Sequence, residues 1–214
     1  MEGTENIAEL CKKHQTFPVY ISTDYVFNGE KGMYEENDEP DPVNYYGLTK
    51  LKGEESIKNL TDEYCIARAS VIYGSIPATG KINFALWLLN KLKRREKAKI
   101  VTDQWNSPTL NINLANMVLE VLERKLTGIF HLAGATRLSR YEFAKFLAEN
   151  FSLDMNLITP VFSKERAREY TQKLSLFRMD WGKYMEDIKS FVTVLGEGEV
   201  KEFSFTYLAR AILS

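Results

Sequence analysis

The chain has 214 residues, 44% of them hydrophobic and 27% charged, which is enough for one domain or two small ones with a buried core. Lys and Arg total 28 against 29 Asp and Glu, so the net charge of −1 excludes the global basic field typical of nucleic-acid binding. No apolar run reaches the ~20 residues of a membrane span, and the polar N-terminus has no signal-peptide pattern. We therefore expect a cytoplasmic protein whose partners are neither nucleic acids nor membranes.

The chain has two Cys and two His, the residue types that a zinc site would need first. Cys11, Cys65, His14 and His131 follow none of the usual zinc spacings. We predict two reduced thiols and no metal site.

Apolar patterns predict helices and strands that alternate along the chain. Ile7, Leu10 and Cys11 form the first helical stripe, and Ser139 with Glu142 three residues later predicts a capping box. The predicted strands cover 17–21, 64–68, 99–102 and 128–134; the predicted helices cover 44–60, 83–95, 114–123, 139–150 and, after a mixed segment, 203–213. This alternation indicates an α/β fold, a partial doubly wound (Rossmann-like) parallel sheet with a small α/β substrate-binding portion.

Tyr46 and Lys50 are four residues apart on the predicted helix 44–60, so they share one face about one turn apart. An ammonium group that close favours the phenolate and lowers the tyrosine pKa from ~10. Such a tyrosine is a useful proton donor for carbonyl reduction near neutral pH. Ser22 and Thr23 follow the first strand, where doubly wound sheets place their chemistry, and a hydroxyl there can bind a carbonyl oxygen beside the tyrosine.

A strand that ends in Ser-Thr, followed after a loop by Tyr-x-x-x-Lys at the start of a helix, resembles the extended short-chain dehydrogenases/reductases. Within that group the chain most resembles the dTDP-4-dehydrorhamnose reductase family. Four stretches carry this likeness, which covers about residues 1–150: 21–29, 44–54, 103–109 and 128–134.

The resemblance implies that NADPH or NADH supplies a hydride to the 4-keto group of a nucleotide-linked 6-deoxy sugar, as in the conversion of dTDP-4-dehydrorhamnose to dTDP-L-rhamnose. Thr23 would hold the keto oxygen, Tyr46 would protonate it, and Lys50 would bind the nicotinamide ribose. The implied cofactor-binding residues are Ser22, Tyr46, Lys50 and Arg68. The implied substrate-binding residues are Asp24, Tyr25, Phe27, Val71, Gln104 and Thr109.

Three alternatives compete with simple reduction: dehydration, a non-catalytic regulatory role and epimerisation. Sugar-nucleotide dehydratases of the same superfamily look like Thr-Asp-Glu at this point of the sequence. In this chain Thr23 and Asp24 are followed by Tyr25, so the acid and base pair needed to eliminate water is absent, which favours simple reduction. A non-catalytic regulatory subunit, similar to the β subunit of methionine adenosyltransferase, is compatible with retention of Thr23, Tyr46 and Lys50. A sugar-nucleotide epimerase is the third alternative, and the Tyr-Val-Phe sequence after Asp24 disfavours it.

The chain departs from the family pattern at several positions. Asn28, Val71 and Asn106 stand where the family usually has Asp, Trp and Gly. Arg168 is the nearest match to the C-terminal Arg-Pro of the family, which bears on diphosphate recognition.

The family's glycine-rich dinucleotide-binding turn has no match in the sequence. We therefore expect either a truncated or mis-started chain with impaired activity, or a homodimer or partner chain that covers an open sheet edge. Residues 1–75, with about 108–135, are assigned to the second half of a Rossmann-like catalytic domain. Residues 76–107 and 136–214 are assigned to the substrate-binding portion.

Overall fold

The computed structural model describes residues 2–77 and 82–162. Five helices alternate with short strands in this part of the chain. The helices are α1 (Glu2–His14), α2 (Tyr45–Leu60), α3 (Phe84–Lys93), α4 (Asn111–Glu123) and α5 (Arg140–Asn150), with 3-10 turns at Asp24–Val26 and Met155–Leu157. The strands are β1 (Val19–Thr23), β2 (Cys65–Ala69), β3 (Ile72–Tyr73), β4 (Ala98–Val101), β5 (Trp105–Asn106), β6 (Thr109–Leu110), β7 (Gly128–His131), β8 (Leu138–Ser139) and β9 (Ile158–Val161).

Strands β1, β2 and β7 form a parallel sheet in that order. β2 lies in the middle and is buried at every position, as expected for a strand with a neighbour on each side and helices on its faces. The register pairs Thr23 with Ala69 and Arg68 with His131, so the carboxyl ends of the three strands lie side by side. The predicted α/β fold with a parallel sheet is confirmed.

Apart from the sheet around β2, an apolar core lies under α3 and α5. Strand β4 pairs in parallel with β9 beside these helices, and β5 pairs antiparallel with β8. The fully or almost fully buried side chains of this core include Leu88, Leu89, Leu92, Ile100, Phe143 and Leu147. The sequence-based division into a catalytic and a substrate-binding portion stays a prediction.

Several element boundaries differ from the predicted ones. β1 runs to Thr23 instead of ending at Ile21, because its ladder with β2 continues to the Thr23–Ala69 pair. β7 ends at His131, and α4 begins at Asn111 instead of Leu114. The predicted capping box of Ser139 is confirmed: its side chain accepts from the Glu142 backbone N–H, while the Glu142 carboxylate accepts from the Ser139 N–H. The predicted helix 203–213 lies outside the described residues.

Gly47 sets the distance between α2 and the end of β1. A Cβ on Gly47 would overlap the backbone carbonyl oxygen of Tyr25, which cannot move without displacing the 3-10 turn. A Cβ on Gly3 of α1 would meet nothing within 4 Å.

We expect Gly47→Ala to lower the free energy of unfolding by about 1–3 kcal/mol, because overpacking outweighs the gain in helix propensity. Gly3→Ala is the matched control and is expected to stabilise by up to about 1 kcal/mol. Urea titrations of both variants measure the difference. Equal stabilisation by the two substitutions would show that α2 does not need this close approach.

Candidate functional site

Polar side chains gather where β1 ends. Thr23 Oγ1 caps the 3-10 turn Asp24–Val26 by accepting from the Tyr25 backbone N–H at 3.3 Å, and it donates to Asp24 Oδ1 at 3.1 Å. Thr23 and Asp24 are buried, with 6% and 2% of their surface exposed. The Thr23 hydroxyl predicted to bind a carbonyl oxygen is therefore held in a fixed place at the strand end.

The Asp24 carboxylate accepts hydrogen bonds from two hydroxyl groups. Within the described residues, no Lys or Arg side chain donates to it. Ser70 Oγ donates to Asp24 Oδ2 at 2.7 Å, and Ser70 Oγ itself accepts from the Ser107 N–H at 3.3 Å. Burial raises the pKa of Asp24 from 3.8 to about 6, against the hydrogen bonds from Ser70 and Thr23, which lower it. The site therefore contains a carboxyl group that titrates just below neutral pH.

Helix α2 carries the predicted Tyr46 and Lys50. Asn44 caps the helix by accepting from the Gly47 N–H at 2.8 Å. The ring of Tyr46 is half exposed and meets Tyr25 edge to face, with centroids 5.8 Å apart. Tyr46 thus lies beside the residue that follows Asp24, next to the end of β1.

Lys50 is anchored to β1. Its Nζ donates to the Ile21 carbonyl oxygen at 2.8 Å and lies 5.0 Å from the centre of the Tyr20 ring. Burial lowers the pKa of Lys50, and the negative charge of Glu54 opposes this effect. The predicted influence of Lys50 on Tyr46 stays a prediction.

A cleft opens next to Asp24. It is lined by Asp24, Tyr25, Val71, Gln104, Asn106 and Arg140. Four of these were predicted to bind substrate, and the fold brings them together from three separate segments of the chain. Asn106 had been noted only as a departure from the family pattern, and Arg140 was missed.

Arg140 enters the cleft because β5 pairs with β8. This pairing sets Trp105 opposite Ser139, and the Arg140 backbone N–H donates to the Gln104 carbonyl oxygen at 2.8 Å. The guanidinium lies 5.2 Å from the centre of the Phe84 ring. Within 2–77 and 82–162 no carboxylate forms an ion pair with it. An arginine held this way can bind an anion in the cleft.

Phe27 and Thr109, also predicted to bind substrate, do not line this cleft. Phe27 is 1% exposed and stacks on Tyr34 with ring centroids 4.3 Å apart. Thr109 Oγ1 donates to the Ser70 carbonyl oxygen at 2.7 Å and accepts from the Gly134 N–H at 3.1 Å. Both side chains support the walls of the site, and a contact with substrate stays a prediction for each.

Ser22 and Arg68, predicted to bind the cofactor, both contact Glu54. Ser22 Oγ donates to Glu54 Oε1, and Arg68 forms a two-point ion pair with both carboxylate oxygens. All three side chains are buried. Glu54 was not identified from the sequence, although its place eight residues after Tyr46 on the same helix was visible there. Cofactor contacts by Ser22 and Arg68 stay predictions.

A model of the RmlD substrate-binding domain family matches residues 1–179, which is most of the chain. The chain belongs to this family. The match confirms the predicted resemblance to the dTDP-4-dehydrorhamnose reductases.

Two curated proteins are similar to the chain over about three quarters of its length. The probable low-salt glycan biosynthesis reductase Agl14 of Haloferax volcanii is 33% identical over 155 residues, which are 72% of this chain and 52% of that protein. Methionine adenosyltransferase 2 subunit beta of Xenopus tropicalis is 30% identical over 166 residues, covering 74% of this chain and 49% of that protein. The chain thus spans about half the length of these curated relatives.

The crystal structure of a Bacillus anthracis dTDP-4-dehydrorhamnose reductase in complex with NADP superposes with a TM-score of 0.78 at 30% identity, covering 89% of this chain and 70% of that one. This match confirms the Rossmann-like character of the fold.

Two further features of the described residues bear on membrane spans and metal sites. None of their helices has the length and hydrophobicity that a membrane crossing requires, and none of their groups of three or more His, Cys, Asp or Glu could hold a metal ion.

The Asp24 carboxyl makes the stability of the protein depend on pH. Its pKa of about 6 in the folded chain exceeds the ordinary value of 3.8, so the folded state keeps a proton that the unfolded state releases. Stability from this group is present below pH ~4 and is lost as pH rises through ~6, by about 3 kcal/mol in total.

Asp24→Asn removes this dependence. We expect the variant to gain stability relative to the unmodified chain as the pH rises from 4 to 7, measured by urea unfolding at each pH. Asp62→Asn, at an exposed position, is the control for the replacement of a carboxylate that is not buried. A constant difference for Asp24→Asn would show that Asp24 titrates normally.

Proposed function

We propose that the protein that contains this chain reduces the 4-keto group of a nucleotide-linked 6-deoxy sugar, of the dTDP-4-dehydrorhamnose type, with NADPH or NADH. The observation that carries the proposal is the placement of Thr23, Tyr46 and Lys50 at one strand end, beside a cleft formed by predicted substrate residues. Membership of the RmlD substrate-binding domain family supports it.

The residues divide the reduction into recognition and proton transfer. When substrate binds, the Thr23 hydroxyl turns its one proton from Asp24 Oδ1 to the keto oxygen and orients it. The Tyr46 hydroxyl donates a proton to that oxygen as the ketone becomes a secondary alcohol. The nicotinamide nucleotide, when bound, supplies the hydride that adds to the sugar C4. Lys50 and Tyr46 are assigned to the nicotinamide ribose, because they lie one turn apart on α2 beside the end of β1. A partly buried ammonium and a half-exposed phenol fit that role.

A non-catalytic role is the second candidate. The 30% identity to methionine adenosyltransferase 2 subunit beta favours it. A protein of this kind would form a stable complex with a partner enzyme without consuming NADPH, so a turnover assay separates it from the reductase. Within the described residues β1 has only β2 as a neighbouring strand, and a homodimer or partner chain at its other edge stays a prediction, as does a cytoplasmic location.

Tyr46→Phe tests the proton transfer. We expect kcat to fall about 10²–10⁴-fold, because the ring keeps its packing but loses its acidic hydrogen. The measurement is NADPH consumption with dTDP-4-keto-6-deoxy-L-mannose, in the longest natural polypeptide that contains this sequence. Tyr45→Phe is the control, since Tyr45 is the neighbouring residue and is 81% exposed. Full activity of Tyr46→Phe contradicts the acid role, and no consumption by the unmodified protein contradicts the reductase.

Arg140 is proposed to bind the diphosphate of the nucleotide sugar. Phosphate oxygens are anions that a guanidinium binds through two parallel hydrogen bonds, and Arg140 is the cation that lines the cleft. This assignment gives diphosphate recognition a residue inside the described part of the chain, whereas Arg168 lies outside it.

Arg140→Gln is expected to weaken dTDP binding about 10- to 100-fold, because a charge-assisted hydrogen bond contributes about 1.5–3 kcal/mol. Isothermal titration with dTDP measures the change. Arg137→Gln provides the control: Arg137 is exposed, its guanidinium lies over the Trp105 ring, 4.3 Å from its centre, and it is not among the residues that line the cleft. Equal losses in the two variants would indicate a general charge effect and contradict the assignment.

A further inference from the structure

Glu54 is a fully buried carboxylate whose two oxygens are both engaged. Oε1 accepts from Ser22 Oγ at 2.5 Å and from Arg68 Nε at 2.9 Å, and Oε2 accepts from Arg68 Nη2 at 2.6 Å. Ser22 belongs to β1 and Arg68 to β2, and they are 4% and 1% exposed. One side chain of α2 therefore joins the helix to two neighbouring strands.

This junction is continuous with the proposed catalytic residues. Tyr46, Lys50 and Glu54 follow one another at intervals of four on α2, so they lie along the same side of the helix. Lys50 donates to the carbonyl of Ile21, and Glu54 accepts from the side chain of Ser22, the next residue of β1. Two successive turns of α2 are thus bonded to two successive residues of β1. A shift of the helix along the strand would break both contacts at once.

The charge of Glu54 also acts on Lys50. The Lys50 ammonium is half-buried, which favours its neutral form, and Glu54 is the group whose charge opposes this. Tyr20 on β1, whose ring centre lies 5.0 Å from Nζ, is another titratable neighbour of Lys50, and Tyr46 on α2 acts electrostatically on Tyr20. Helix α1 faces this place with Thr4, which hydrogen-bonds to Tyr20. Among these groups Glu54 is the carboxylate, and Arg68 of β2, which pairs with it, is a second cation.

We propose that Glu54 is a positioning residue for Lys50: through Ser22 and Arg68 it fixes α2 on the sheet, so that the Lys50 ammonium meets the Ile21 carbonyl. The importance of this for turnover rests on the proposed reductase function. The positioning itself does not, so the two are tested separately.

The test is the titration of Lys50 followed by NMR of ¹³C-labelled lysine side chains, with the Lys50 signal assigned by its loss in Lys50→Arg. In Glu54→Gln we expect the pKa of Lys50 to fall by about one, a tenfold change in its protonation equilibrium. Glu55→Gln is the matched control, because Glu55 is the next residue, is exposed and carries the same charge. It should leave the Lys50 titration unchanged.

An unchanged Lys50 titration in a folded Glu54→Gln variant would overturn the proposal, even if the variant unfolds at a lower temperature, because a purely structural ion pair predicts only that loss. If Glu54→Gln does not fold, Ser22→Ala removes the Oγ–Glu54 hydrogen bond and leaves both buried charges paired. A lower pKa of Lys50 in that variant supports the positioning, and an unchanged titration overturns the proposal. The NMR titration needs no substrate. An inactive protein therefore contradicts the proposed reductase function but leaves the positioning role of Glu54 unaffected.

Discussion

Helix α2 lies close to strand β1 and to the 3-10 turn that follows it, with a glycine of α2 at two of the contact points. Gly47 faces the Tyr25 carbonyl of the turn, and a Cβ on Gly53 would overlap the Tyr20 side chain of β1. Between and beyond these glycines, Lys50 and Glu54 bond directly to β1. The positions of Tyr46 and Lys50 relative to Thr23 follow from this contact, because the helix carries the proposed acid and cation while the strand carries the hydroxyl group they must meet. Close packing leaves few alternative arrangements, since a small shift loses several bonds together.

Two buried carboxylates in this region have opposite surroundings. Glu54 is paired with a guanidinium, so its charge is compensated where it has been removed from water. Asp24 accepts hydrogen bonds from the Thr23 and Ser70 hydroxyl groups and from backbone N–H groups, and burial raises its pKa to about 6. The first arrangement suits a permanent structural charge, and the second suits a group that exchanges protons near the working pH. Only Asp24 lines the cleft, which places the titratable carboxyl where a substrate would be.

Much of the site was predictable from local patterns. The spacing of Tyr46 and Lys50 predicted a shared helix face, and the strand before Thr23 predicted a polar strand end, because helix and strand periodicities are local properties. Strand boundaries were less predictable. β1 continues to Thr23 because β2 continues beside it, and the sequence of β1 alone does not show where its partner strand ends. Arg140 could not be predicted, because it meets Gln104 only when β5 and β8 pair, although Asn106 in the same segment had attracted notice.

The sequence by itself determined the fold class, the family and the helix face that carries Tyr46 and Lys50, since these depend on residue type and on spacings of a few positions. The tertiary structure decided which candidates share the cleft and which are internal. It placed Arg68 against Glu54 and Phe27 against Tyr34, and it brought Arg140 into the cleft. The physical reason is that burial and charge pairing depend on what the chain brings together from distant positions, and an unpaired buried charge costs too much to be left wherever local propensity would put it.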